Sequence, residues 1–182
     1  MVATKLMTAE ELAELPDDGY HYELVRGEVK RMAPGGGEHT EIGFELGRPL
    51  GNHVVANKLG RVYMFEAGFL LSEDPETVRA PDVAFVRADR LPPRAERKGY
   101  LRISPDLAVE VISPHDRLSE ISEKVAEYLS YGVRAVWVID PRLQTVTIYE
   151  ADRHPRVLVV GDTLDGGDVV PGFQIAVADL FR

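Results

Sequence analysis

The chain has 182 residues, with 21 Lys plus Arg against 30 Asp plus Glu, a net charge of −9, and 45% hydrophobic residues. That apolar fraction excludes disorder as the main state, and the length suits one domain over 1–182 with a full core. There is no cysteine, which excludes disulfide scaffolds, thiolate metal sites and cysteine nucleophiles.

No apolar run reaches the roughly 18 residues of a membrane span. Residues 1–15 carry acids where a signal peptide has bases and an apolar stretch, so a reducing, cytoplasmic setting is expected. The acidic balance argues against broad nucleic-acid affinity, and a reading that involves DNA has to answer it.

In chain order, 8–15 reads as a short helix, because Thr8 followed by Glu11 is a capping-box spacing and Pro16 lies just beyond. The run HYELVRGEVKRM then reads as a hairpin turning at Arg26-Gly27. After the glycines at 35–37, Ile42, Leu46, Leu50 and Val54 recur at intervals of four and predict a helix over 38–58, although Gly43, Gly47, Pro49 and Gly51 weaken it. Three strands are expected next: 61–71, the segment VRAPDVAFVR around Asp82, and 106–113.

Helical periodicity returns over 117–131, with Leu118, Ile121, Val125, Tyr128 and Leu129 as the buried stripe and Gly132 as its stop. Ser113, Pro114 and Asp116 read as the start of that helix, and His115 as an exposed residue with a small chance of a catalytic role. Residues 134–140 form a near-continuous apolar strand, and 145–150, 156–160 and 169–180 make a β-rich tail. Three strands with short connections form an antiparallel meander; the next, reached through a helix, lies parallel to the third. A mixed central sheet flanked by two helices follows.

Strand alternation sets Asp82 beside Ala84, and Glu110 beside Ala108, inside otherwise apolar strands. Carboxylates there are costly to desolvate unless something positive meets them. If the strands are neighbours, the two acids converge, and hard oxygen ligands of that kind suit Mg²⁺ or Mn²⁺. Lys124 falls at the edge of the helical stripe and can reach the sheet, although spacing alone favours a snorkelling lysine paired with Glu120 or Glu127.

These residues resemble the PD-(D/E)XK nuclease superfamily, and more closely the bacterial Uma-type endonuclease family, through YELVRGEV, His39, APDVAFV, PDLAVEVISP, Lys124 in EKVAEYLSYGV, VWVIDP and VVPGFQIAVADLF. The resemblance implies a restriction-endonuclease-like αβββαβ core with an N-terminal hairpin and a C-terminal β-rich extension. It implies that Asp82 and Glu110 bind Mg²⁺ or Mn²⁺. The superfamily lysine, usually two residues after the Glu, is Ile112 here and is implied to have moved to Lys124. The implied activity is metal-assisted hydrolysis of phosphodiester bonds, with DNA as the substrate and a homodimer as a common state.

His39 and Glu23 are accessory candidates, and Asp106, about 13 Å along the strand from Glu110, is a strand-start residue. The segment 87–102, with Arg87, Arg90, Arg94, Arg97, Lys98 and Arg102 against Asp89 and Glu96, carries +4 against −13 for the rest, and reads either as a solvated loop or as a phosphate-tracking flap near the metal. Two readings of another kind stay open. One is a nuclease-fold binding or assembly protein without hydrolysis; the other is a structural ion cluster of Asp82, Glu110 and Lys124.

Overall fold

The structure is a computed structural model that describes residues 6–64, 67–114 and 116–182. In chain order, helix α1 (Ala9–Ala13) precedes a hairpin of β1 (His21–Val25) and β2 (Glu28–Met32). Helix α2 (Gly37–Ala56) leads to β3 (Gly60–Met64), β4 (Phe69–Glu73), β5 (Glu76–Arg79) and β6 (Val83–Arg87). Strand β7 (Leu107–Val111) and helix α3 (Leu118–Ser130) are followed by β8 (Ala135–Asp140), β9 (Thr145–Glu150) and β10 (Arg156–Val159). Short strands β11 (Thr163–Asp165) and β12 (Gln174–Ala176) precede a 3₁₀ turn, Val177–Phe181. No helix among the described residues is long and apolar enough to cross a membrane.

The chain folds as two compact units. The first comprises 6–34, 67–80 and 92–104. Its antiparallel sheet has the order β2-β1-β5-β4, and α1 packs on it through Ala9 and Leu12 against Leu24, Leu70 and Val78. The capping box is formed: Glu11 N–H donates to Thr8 Oγ1, and Thr8 N–H to the Glu11 carboxylate. Arg26 and Gly27 both have positive φ, the geometry a two-residue hairpin turn demands.

The second unit comprises 35–64, 81–91, 105–114 and 116–182. Its six-stranded sheet runs β10-β9-β8-β7-β6-β3, with β7 and β8 parallel and the other pairs antiparallel. One face carries Val83, Phe85, Leu107, Val109, Val111, Trp137 and Ile139, and receives Ile42, Leu46, Leu50 and Val54 of α2. Alternation turns Ala84, Ala108 and Glu110 to the other face, where α3 reaches Glu110. This is the expected meander followed by a helical crossover.

Four expectations are corrected. The strand expected over 61–71 is two strands, β3 and β4, in different sheets. The segment around Asp82 is likewise divided between β5 and β6. Pro81 has no N–H to continue a ladder, and Asp82 therefore sits in the bend before β6 and not within a strand. Helix α3 begins later than expected, because Asp116 accepts from Ser113 N–H at 2.7 Å and closes a turn ahead of it. Arg117 becomes the N-cap, and Leu118, first residue of the helix, is 76% exposed and not part of the buried stripe. The tail is less β-rich than expected. Gly167 and Gly172 at positive φ turn the chain so that Val169, Val170 and Phe173 join the core without sheet pairing, and Phe173 stacks on Trp137.

Candidate functional site

Strands β6 and β7 pair antiparallel with Val83 opposite Val109, so one more step of that register sets Asp82 opposite Glu110. The Asp82 carboxylate closes this end of the pair. Its Oδ2 accepts from the backbone N–H of Val111 at 2.7 Å, a bond that fixes the side chain against the end of β7. The same oxygen lies 3.2 Å from Nε2 of His39, in the first turn of α2. Both side chains keep some solvent access, 20% for His39 and 24% for Asp82.

The hydrogen bond to Asp82 raises the pKa of His39 above its ordinary 6.5; the charges of Asp82, Glu110 and Asp116 act the same way, and burial opposes them. A raised histidine pKa stabilises the fold fully below 6.5, and that contribution is lost as pH climbs through the folded-state value. We expect a histidine NMR titration of the metal-free protein to place the His39 midpoint above 6.5. Asp82→Asn should lower it, and an unchanged midpoint would refute the pairing.

Glu110 is the last residue but one of β7 and is 5% exposed. Helix α3 supplies two of its partners. Lys124 Nζ donates to Oε2 at 3.0 Å, and the Tyr128 hydroxyl donates to Oε1 at 2.7 Å. The spacing i, i+4 puts both donors on one face of the helix, so α3 meets each oxygen of the carboxylate once. Lys124 thus reaches the sheet and meets Glu110 there. Tyr128 is the polar participant that sequence reasoning missed. Its place on the apolar stripe gave no signal beyond its distance of one turn from Lys124.

Other candidates lie elsewhere. Glu23 belongs to the first unit, where its buried carboxylate accepts from Arg79 Nη1 at 2.7 Å and from Ala80 N–H at 3.0 Å. Asp106 is fully buried just before β7, accepting from Arg87 N–H with Arg90 2.9 Å away, which makes it an anchor for the start of the loop. The basic run was expected beside the metal, and for Arg87 and Arg90 the structure corrects this. They sit at the other end of β6 and β7, roughly 15 Å along the strands from Asp82. Arg94, Arg97, Lys98 and Arg102 belong to the first unit. Arg102 is paired with Glu10 and Glu73, and Arg97 donates to the carbonyl of Pro92. His115 lies outside the described residues.

Among the described residues, no group of three or more His, Asp or Glu side chains could by itself enclose a metal ion. Mg²⁺ needs no such group, since it keeps several waters and takes one or two carboxylates with substrate phosphates completing its shell. The donor chemistry of Asp82 and Glu110 fits such an ion: both are hard oxygen ligands, one of them partly open to solvent.

A family model described as "Uma2: Putative restriction endonuclease" matches residues 9–178. A crystal structure from Anabaena variabilis, titled as a putative nuclease belonging to DUF820, superposes with a TM-score of 0.83 at 21% identity. That alignment covers 96% of this chain and 97% of the other, and at this identity it establishes a shared fold. No curated protein matches.

Proposed function

The chain belongs to the Uma2 family, and from that premise we propose that it is a divalent-metal-dependent endonuclease that hydrolyses phosphodiester bonds in DNA. The observation that carries the reading is the pairing of β6 with β7, which brings Asp82 and Glu110 to neighbouring positions while Lys124 reaches Glu110. Asp82 and Glu110 would hold Mg²⁺ or Mn²⁺, which supplies Lewis-acid polarisation of a phosphate oxygen and a lowered pKa for water.

The chain's own residues do the rest. Val111 N–H keeps Asp82 aimed across the strand ends. Lys124 carries a positive charge to the place where negative charge grows on the phosphorus oxygens, or holds the attacking water. His39, beside Asp82, serves as an accessory group able to hold a proton near the phosphate. No covalent intermediate is required.

The test is cleavage of supercoiled plasmid, single-stranded DNA and RNA with Mg²⁺, Mn²⁺ or EDTA. Metal-dependent nicking or linearisation of DNA is expected. Intact substrates throughout would overturn the proposal.

For binding of the DNA phosphates we assign Arg94 and Lys98, the two members of the basic run that are exposed and make no ion pair among the described residues. Every phosphate that a protein no longer neutralises lowers the slope of log affinity against log salt by about 0.9. Arg94→Ala with Lys98→Ala should therefore flatten the slope of DNA binding in EDTA by about 2. An unaltered slope would leave these residues as loop solvation only.

One observation favours the rival reading, a nuclease-fold binding protein with a structural ion cluster. Each carboxylate already meets a basic side chain, Glu110 with the Lys124 ammonium and Asp82 with the His39 imidazole, a cation once protonated. In that case removal of one partner costs stability and metal changes nothing.

A further inference from the structure

We infer that Tyr128 is a positioning residue for the metal site, acting through Glu110; the inference rests on the nuclease reading above. Tyr128 is fully buried, in line with Ile121 and Val125, where a Phe would pack equally well. A buried phenol is costly unless its hydroxyl finds a partner. Here the partner is the Glu110 carboxylate, 18 residues earlier in the chain and 2.7 Å away.

Two features give this hydrogen bond a purpose beyond satisfying a hydroxyl. Lys124 holds Oε2 and Tyr128 holds Oε1, so two donors one helical turn apart fix the plane of the carboxylate. A single donor would leave it free to rotate about its last bond. The two donors also differ in charge. Lys124 repels an approaching divalent cation, whereas the neutral phenol adds no repulsion. Tyr128 thus aims Glu110, and Lys124 is left for the phosphate. The chemistry matches that of outer groups elsewhere, which orient ligating carboxylates by hydrogen bonds.

The experiment measures Mn²⁺ binding to the full chain by electron paramagnetic resonance, with no nucleic acid present. Tyr128→Phe removes only the hydroxyl and should weaken Mn²⁺ about tenfold or more, the scale for such outer partners. Cleavage by Tyr128→Phe should be restored by raising Mn²⁺, a rescue that Glu110→Gln does not show.

Equal Mn²⁺ affinity in Tyr128→Phe, with or without a loss of stability, overturns the inference and leaves the nuclease reading intact. Mn²⁺ binding that depends on the hydroxyl, in a protein that cuts nothing, supports the inference and removes the nuclease reading. Absence of Mn²⁺ binding by the unsubstituted protein overturns both. Should Tyr128→Phe not fold, 3-fluorotyrosine placed at position 128 keeps the hydroxyl. Its fluorine resonance should shift on Mg²⁺ addition, and an unmoved resonance overturns the inference.

Discussion

Asp82→Asn and Glu110→Gln are each expected to abolish metal-dependent cleavage while leaving the protein folded. Asn still accepts the Val111 N–H, and Gln still offers an oxygen to Lys124 while its amide faces Tyr128, whose hydroxyl can turn to accept. What both substitutions remove is negative charge, and a divalent cation cannot be held by neutral amides as it is by carboxylates. The loss of rate should be on the order of 10²–10³ or more, the scale of removing one electrostatic stabiliser from a reacting centre. Mn²⁺ binding should fall with it. The ion-cluster reading demands the opposite pattern: the neutral variant leaves the part-buried ammonium of Lys124 without the Glu110 charge, stability falls sharply, and metal has no effect on either form. Thermal melts with and without Mn²⁺, run beside the cleavage assay, separate the two.

Glu23→Ala should act on stability and not on metal binding. The Glu23 carboxylate is fully buried, Arg79 is nearly so, and they are 2.7 Å apart; Glu23 also accepts from Ala80 N–H. Removing one member of a buried pair costs about 3–5 kcal/mol, since the other charge stays without its partner. Against a typical total of about 5–15 kcal/mol, that is a large fraction. The urea midpoint should drop markedly. Replacing both residues together, Glu23→Met with Arg79→Met, should recover most of the deficit, because two apolar groups of similar volume need no counter-charge. Mn²⁺ affinity is the deciding second readout. If Glu23→Ala loses Mn²⁺ at full stability, Glu23 is the accessory group the sequence offered, and the structural reading is wrong.

Much of the fold is legible in the order of residues because its local signals are strong. The i, i+4 stripe of Ile42, Leu46, Leu50 and Val54 is the buried face of α2, and Arg26-Gly27 forms the turn its composition demands. The apolar run at 135–140 is a central strand buried on both faces, and the crossover through α3 makes it parallel to β7. Glu110 and Lys124 were legible as a pair for an energetic reason: a carboxylate in an apolar strand calls for a cation, and the helix that follows has one at its edge.

What the residues themselves determine is which faces are apolar, where turns must fall, and that an acid on a central strand needs company. Those follow from periodicity, backbone restriction and desolvation, all of which act within a few residues. Only the tertiary structure decides which sheet each half of 61–71 and 78–87 joins, which side chain meets Asp82, and that Tyr128 turns its hydroxyl to Glu110. Strand partnership is set by hydrogen bonds between segments far apart in the chain, and Pro81 shows only that a ladder stops, not where the next begins. A phenol on an apolar stripe reads as core until a carboxylate from another element is brought within hydrogen-bonding distance. Such meetings belong to the packing of whole elements, and no local pattern encodes them.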